Sequence, residues 1–354
     1  MNLMYIKAVV LFFTVVVQVI LFPVSYTVLL FLLKPLKLYS ESLYWKIEHI
    51  LYDHTILVVS YWTDLAGHEI LESGENVAGL LKNKNCVVMI NHQCPSDIGI
   101  VMRALYKKEN FFHTSMWVMD WIIQFCTIGW VSKGHGDFFL LQPVDAKKFA
   151  CVLGEKVLDQ DSILLMENSI RQNLKHRERN LKSVIMFPEG GFFKNRKAGS
   201  DKYAHKIRHK ILRHVAIPRV SGFEAVLKAM EHKDIVVIDM TIGYHQVPSL
   251  FQHGMPIDYP KQKFHVHYRS FKLSESSVQV GDSDSVRKWI FARFTEKDEL
   301  LSKFYQYNAF PNTTTHRPVE KLPVVKYVLA HFWMVLTMYF VYFCMKTFII
   351  TITS

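Results

Sequence analysis

Cysteine is scarce in this chain and follows no pattern typical of structural or metal-binding thiols. None of the cysteines form a C-x-x-C pair, and most lie in apolar runs, which is typical of buried, reduced thiols. The sequence therefore predicts neither a disulfide framework nor a metal site, and it implies no redox cofactor. The five cysteines are Cys86, Cys94, Cys126, Cys151 and Cys344.

The chain also lacks a Gly-x-Ser-x-Gly sequence, internal repeats and low-complexity tracts. The first of these absences excludes the nucleophile elbow of the α/β-hydrolases, in which a serine attacks the substrate.

Apolar and basic residues are abundant. Hydrophobic residues make up 50% of the 354 residues, and the formal net charge is +11. A basic balance predicts an anionic partner: nucleic acid, a membrane surface or a phosphate-bearing substrate. Because the apolar residues are concentrated at the two ends of the chain, we expect a lipid bilayer and no nucleic acid.

The two apolar ends predict membrane anchors. Residues 1–37 are expected to form an N-terminal anchor, and Pro23 either kinks it or divides it into a hairpin. Residues 322–352 are expected to form a C-terminal transmembrane segment. Lys34 and Lys37, at the end of the first anchor, favour a cytosolic position for the domain between the two anchors, residues 38–310.

Apolar runs and amphipathic stretches alternate within residues 38–310. This alternation predicts an α/β fold, a mostly parallel mixed sheet flanked by helices. Segment 114–131 carries three tryptophans and is expected to be buried or half-embedded at an interface. We predict strands at 56–61, 87–90, 184–187, 235–244 and 264–271, and helices at 72–81, 98–105, 146–158, 163–174, 222–231 and 284–305.

The stretch CVVMINHQCPSD, residues 86–97, joins a short apolar strand to His92 and Asp97. A base at the exit of a rigid strand, with a carboxylate one turn away, is where a general base and its orienting acid are expected. The spacing alone is a weak signal, because His253 and Asp258 repeat it in a Gly/Pro loop with no strand before it. We interpret that second pair as coincidence.

A second apolar strand ends in Phe187-Pro188-Glu189-Gly190-Gly191. Adjacent parallel strands present their ends at one edge of a sheet, where open α/β folds place their sites. The alternative is that His92 is a structural histidine and Glu189 a turn residue.

NHQCPSD followed by FPEGG resembles the first and third motifs of the glycerolipid acyltransferase family. The third motif of this chain has a glycine where most of the family has threonine, and the stretch HVAIPRVSGF follows it. In both features the chain resembles the lysophosphatidylglycerol acyltransferase-like branch. The resemblance covers roughly residues 85–245 and the flanking spans. It implies an acyl-CoA-dependent transfer to a lysophospholipid hydroxyl in phospholipid metabolism, in a membrane such as the endoplasmic reticulum, with acyl-CoA as co-substrate and no cofactor.

The resemblance also implies roles for individual residues. His92 would be the general base and Asp97 would orient it, as a carboxylate does in a Ser-His-Asp triad. The hydroxyl would attack the thioester directly, and Cys94, the only nearby nucleophile, is not expected to form an acyl-enzyme. The expected substrate-binding residues are Asn91, Lys133, Glu189, Gly190, Gly191, Pro218 and Arg219.

Lys133 is included because the family's second motif carries an arginine that this chain lacks. The matching segment GWVSKGH, residues 129–135, offers only this lysine as a cation. A basic segment, residues 194–213, is either a solvated helical face or a surface that attracts coenzyme A phosphates and anionic lipid headgroups.

Two other classes of function remain open at this stage. A thioesterase or lysolipid hydrolase could use the same His/Asp pair to activate water. A catalytically silent membrane protein could bind lipid. The sequence predicts neither the headgroup, the acyl chain, the acylated position nor the oligomeric state.

Overall fold

The computed structural model describes residues 3–108, 111–140, 160–175, 182–230, 234–245, 247, 261–311 and 317–353. Its strands are β1 (Glu69–Gly74), β2 (Asn85–Ile90), β3 (Ser115–Asp120), β4 (Phe138–Leu140), β5 (Ser183–Met186), β6 (Ile235–Tyr244), β7 (Lys263–Lys272) and β8 (Arg317–Pro318). These strands form one sheet in the order β4-β3-β5-β2-β6-β7-β1-β8.

The α-helices of the described ranges are α1 (Leu3–Tyr39), α2 (Glu41–Ala66), α3 (Ala78–Asn83), α4 (Asp97–Leu105), α5 (Thr127–His135), α6 (Gln160–Lys175), α7 (Phe193–Lys206), α8 (Val220–Met230), α9 (Ser283–Tyr307) and α10 (Val324–Thr353). Short 3₁₀ turns cover Phe111–Thr114, Trp121–Phe125 and Leu273–Glu275.

The centre of the sheet is parallel. Strand β2 lies between β5 and β6, and Val88 is opposite Ile185 on one side and Ile238 on the other. Strand β7 is parallel to β1 and antiparallel to β6. The predicted α/β fold with a mostly parallel mixed sheet is therefore confirmed.

Both faces of the sheet are covered, which explains the uninterrupted apolar sequence of β2. Val88 and Ile90 pack with residues of α1, α2 and α4 in one core. Val87 and Met89 pack with residues of α6, α7, α8 and α9 in the other. Successive side chains of a strand point to opposite faces, so one run of sequence serves two cores.

The terminal helices pack against this core and against each other. Gln18 of α1 donates to the Tyr327 hydroxyl of α10 at 2.9 Å and accepts from Trp62 Nε1 of α2 at 2.7 Å. Phe22 is buried beside Ala330 and Met334. Residues Val9–Tyr39 and Val324–Thr351 are long and apolar enough to cross a membrane, and their composition fits one.

Several elements are found as predicted, namely β2, β5, β6, β7, α4, α6, α8 and α9. The strand predicted at 56–61 is wrong, because these residues lie inside α2. The helix predicted at 72–81 is replaced by the end of β1 and by α3. Segment 114–131 consists of β3, a 3₁₀ turn and the first part of α5.

Pro23 lies inside α1 and does not divide it into a hairpin. The helix predicted at 146–158 and the pair formed by His253 and Asp258 lie outside the described residues.

Candidate active site

The site lies where β2 and β5 end at the same edge of the sheet. His92 follows β2, and Glu189 follows β5. The backbone N–H of His92 donates to Oε1 of Glu189 at 2.8 Å, and the His92 carbonyl accepts from the Phe193 N–H at 2.7 Å. The two motifs are thus hydrogen-bonded to each other.

Asp97 orients the His92 ring. It is the first residue of α4, it is fully buried, and its Oδ2 lies 2.8 Å from His92 Nδ1. The same oxygen accepts from the backbone N–H groups of Gln93 at 2.6 Å and Cys94 at 3.1 Å. Because backbone N–H groups only donate, Asp97 is an acceptor here. The His92 proton therefore resides on Nδ1, and the lone pair is on Nε2.

Tyr244, the last residue of β6, completes the surroundings of Asp97. Its hydroxyl donates to Oδ1 of Asp97, and the residue is fully buried. Burial and the neighbouring Asp97 charge raise the pKa of Tyr244 well above its usual range, so it stays a donor. Sequence reasoning missed this residue. The only signal for it was its place at the end of a strand beside β2.

Two phenylalanines enclose the His92 ring. The Phe187 ring stacks on it with centroids 4.0 Å apart, and the Phe192 ring lies at 4.4 Å. Only 12% of the His92 side chain is exposed. The imidazole is therefore held between aromatic walls, with one edge open.

Glu189 supports the site from behind. It is fully buried, and its second oxygen, Oε2, accepts from the Ala216 N–H at 2.7 Å. Burial raises the pKa of Glu189 to about 8, against the lowering effect of the Ala216 and His92 N–H groups. Its predicted contact with a substrate does not fit this geometry, because the carboxyl is sealed from solvent and bonded to the protein backbone.

Gly190 and Gly191 form a turn at the surface, with φ values of +69° and +148°. A Cβ atom at Gly190 would lie 2.6 Å from Nε of Arg219, and one at Gly191 would lie 3.3 Å from Cδ of Arg196. The glycines thus allow the side chains of two arginines to approach the turn. Sequence reasoning singled out Arg219 and left Arg196 among the general basic residues.

The two arginines influence each other's charge. Burial, then the charge of Arg196, lowers the pKa of Arg219 to about 10, while Asp120 acts in the opposite direction. Burial also lowers the pKa of Arg196, and its Nε has no hydrogen-bond partner. Two partly desolvated cations beside a pair of glycines make a local attraction for an anion.

The irregular segment 207–219 carries Arg219 and is bonded to its surroundings. Asp298 Oδ1 accepts from the N–H groups of Arg213 at 2.8 Å and His214 at 2.6 Å. The Gln93 side chain donates to the His214 carbonyl at 2.7 Å. Buried Pro218 precedes Arg219, whose N–H donates to the Pro188 carbonyl at 2.7 Å.

Asn91 links two strands. Its Nδ2 donates to the Ile242 carbonyl at 3.0 Å, and its Oδ1 accepts from the Ile242 N–H at 2.8 Å. It is fully buried. Both polar atoms of its side chain are therefore used within the protein and are not available to a substrate. Asn91 instead fixes the end of β2 immediately before His92.

The structure does not bring Lys133 into this group. Its side chain is exposed on α5, a helix that packs on α1. Across the described ranges, Lys133 makes no hydrogen bond or ion pair with the other predicted site residues. Arg196 and Arg219 are the cations that lie beside the Gly190-Gly191 turn.

A cleft of about 260 Å³ opens beside His92. One wall is the loop Gln93, Cys94 and Pro95. The other is the start of α7 with its preceding residue: Phe192, Lys194 and Asn195.

Comparison with known proteins agrees with the geometry. The family model described as Acyltransferase matches residues 70–242, and Acyltransferase C-terminus matches residues 259–335. Acyl-CoA:lysophosphatidylglycerol acyltransferase 1 of Homo sapiens is 29% identical over 93% of this chain and 89% of its own length. Its Mus musculus counterpart is 30% identical over 81% and 78%.

One similar solved structure is the 1-acyl-sn-glycerophosphate acyltransferase of Thermotoga maritima. It is 12% identical, with a TM-score of 0.47, and the match covers 84% of this chain and 96% of that one.

Proposed function

Because this chain belongs to the acyltransferase family, we propose that it transfers a fatty acyl group from acyl-coenzyme A to the free hydroxyl of a lysophospholipid. The acceptor is lysophosphatidylglycerol or a related lysolipid, as the names of the relatives suggest. The observation that carries the proposal is the 2.8 Å contact between His92 Nδ1 and a carboxylate oxygen of Asp97 at the exit of β2.

The proposed reaction is a direct displacement. His92 Nε2 takes the proton of the acceptor hydroxyl as its oxygen attacks the thioester carbonyl carbon. The carbon–sulfur bond of the tetrahedral intermediate then breaks, and His92 returns the proton to the coenzyme A thiolate. Asp97 stabilises the positive imidazole between these two steps.

Cys94 is a poor candidate for an acyl-enzyme nucleophile. Its side chain is 1% exposed, and burial followed by the Asp97 charge raises its pKa well above the usual range of a thiol. The thiolate is the nucleophilic form of cysteine, so this thiol stays unreactive. Its environment supports direct attack by the acceptor.

The acceptor phosphate is proposed to bind at the Gly190-Gly191 turn, between Arg196 and Arg219. Two guanidinium groups and the N–H group of Gly191 suit a phosphate, and Lys133 is not required. The acyl-CoA is proposed to reach His92 through the cleft, whose rim carries Lys194. We propose further that the catalytic part faces the cytosol from the endoplasmic reticulum.

Replacing His92 tests the proposal. General base catalysis contributes roughly 10²–10⁴-fold, so His92→Ala should remove nearly all transfer in microsomes while the protein still inserts. His205→Ala, at an exposed position on α7, is the control and should keep wild-type activity. Wild-type transfer by His92→Ala would contradict the mechanism.

The acceptor dependence of coenzyme A release separates transfer from hydrolysis. With acyl-CoA alone, the wild-type protein should release little free coenzyme A, and lysophosphatidylglycerol should stimulate release together with formation of the diacyl lipid. Release that ignores the acceptor would instead identify a thioesterase.

A further inference from the structure

An exposed apolar surface lies next to the site. It consists of Ile122 and Phe125 in the 3₁₀ turn after β3, and Trp130 in α5. We call it the aromatic ridge. These side chains are 57%, 68% and 42% exposed. Residues three apart in a 3₁₀ turn lie on one side of it, so Ile122 and Phe125 point the same way. From Trp121 to Ser132 the sequence has no charged residue.

The aromatic ridge is attached to the middle of the first apolar helix. Thr127, between Phe125 and Trp130, donates its hydroxyl to the Val19 carbonyl of α1 at 2.8 Å. Further along α5, a Cβ atom at Gly134 would lie 2.7 Å from Leu30 of α1, so the two helices approach closely. Val19 and Leu30 belong to the segment that fits a membrane span.

An exposed apolar face of α1 lies at the same height as this contact. Val17 and Ile20, one turn apart on that face, are 47% and 48% exposed. Phe13, one turn earlier, is 61% exposed. The aromatic ridge therefore lies at the same depth along α1 as an apolar surface that already fits lipid.

The aromatic ridge also leads to the arginines of the site. Asp120 ends β3 immediately before the 3₁₀ turn, and its Oδ1 accepts from the Ile122 N–H at 3.2 Å. The charge of Asp120 acts on Arg219, which packs on Gly190. One short segment thus joins the apolar surface to the proposed phosphate position.

We propose that the aromatic ridge is immersed in the acyl-chain region of the bilayer and guides the acceptor lipid from it to Arg219. The acyl chain of a lysophospholipid lies against the ridge while its phosphate reaches the Gly190 turn. The guidance of the acceptor lipid rests on the proposed function, whereas the immersion of the aromatic ridge does not.

Depth measurement by spin labelling tests the immersion. The full chain carrying Phe125→Cys, with Cys126, Cys151 and Cys344 replaced by serine, is placed in vesicles of equal parts phosphatidylcholine and phosphatidylglycerol. A label at position 125 should be accessible to oxygen and shielded from a water-soluble nickel chelate. Phe343→Cys in α10 is the lipid-exposed control, and Lys288→Cys, on the exposed side of α9, is the water-exposed one.

Two outcomes would overturn the immersion. Accessibility to nickel like that at position 288 would place the ridge in water. Shielding from both reagents would place it against protein, either a partner or a second copy of the chain.

A kinetic experiment tests the guiding role. A charge within the acyl-chain region is costly, so Phe125→Asp should raise the KM for a long-chain lysophospholipid in vesicles about tenfold. Phe125→Leu keeps the surface apolar and should raise it less. A KM equal to that of the wild type in Phe125→Asp would contradict the guiding role. If the wild type transferred no acyl group at all, the proposed function would fail while the label depth would still stand.

Discussion

Tyr244, at the end of β6, donates its hydroxyl to the Asp97 carboxylate, which in turn holds the His92 ring. The residues that face this carboxylate come from three elements: His92 and Cys94 from the loop after β2, Tyr244 from β6, and Tyr305 from α9. The buried carboxyl of Glu189 also interacts with Asp97. The His92–Asp97 pair therefore lies within a network that spans the sheet.

Tyr244→Phe is expected to lower kcat with little change in KM. The substitution removes one of the donors that hold the Asp97 carboxylate, so the carboxylate should orient the His92 ring less well. Steady-state kinetics measures this. A kcat equal to that of the wild type would contradict a positioning role, and equal effects on kcat and on the melting temperature of the variant would show only a structural effect.

Arg196→Ala and Arg219→Ala are expected to weaken binding of the acceptor. A hydrogen bond to a charged group contributes about 1.5–3 kcal/mol, so kcat/KM for a lysophospholipid should fall about tenfold to a hundredfold. Arg219→Lys should recover only part of this, because lysine lacks the planar fork. Lys202→Ala, an exposed position on the same helix as Arg196, is the control.

Acyl transfer to a monoacylglycerol, which has no phosphate, tests whether the two arginines act through the phosphate. If the arginines bind phosphate, their removal should leave the weak transfer to this acceptor unchanged. An equal loss with both acceptors would contradict the assignment.

Gly190→Ala is expected to disturb the turn. The φ value of +69° costs a residue with a side chain about 1–2 kcal/mol, and the new Cβ would meet Arg219. The variant should show a lower melting temperature and a higher KM for the acceptor. Gly222→Ala is the matched control, because nothing lies within 4 Å of the added Cβ in α8. It should be neutral or slightly stabilising.

Glu189 is expected to make stability depend on pH. Its folded-state pKa of about 8 is raised above the ordinary value of 4.5, so the folded protein binds the proton more tightly. The free energy of unfolding should therefore fall as pH rises between these two values. Glu189→Gln removes the titrating group. Because its amide nitrogen would face one of the two backbone N–H groups that the carboxyl oxygens accept from, the variant should be less stable overall. Its melting temperature should nevertheless change less than that of the wild type between about pH 6 and pH 9. If the melting temperatures of the two proteins changed equally with pH, the raised pKa of Glu189 would be contradicted.

The sequence predicted the centre of the fold well and its covering layer less well. Strands β2, β5 and β6 are short apolar runs rich in β-branched residues, which favour a buried strand. The run at 56–61 has the same composition but lies in α2, where the residues from Thr55 to Ser60 are all buried. A helix buried on every side shows no amphipathic period, so composition alone favoured a strand.

The residues of the site were also predicted only in part. His92 and Asp97 are five residues apart, and a local motif reveals them. Tyr244 and Arg196 reach the site only through the strand order and the turn after β5. No local spacing connects Tyr244 to Asp97, because 147 positions of the chain separate them.

Segment 207–219 contains no helix or strand, yet three of its N–H groups donate to the buried carboxylates of Asp298 and Glu189. Its amides should therefore exchange with solvent deuterium as slowly as those of the sheet. This loop is then a fixed wall of the site and not a lid. For the proposed function, this means that discrimination among headgroups would come from a preformed shape, and substrates would have to enter and leave past the opposite side.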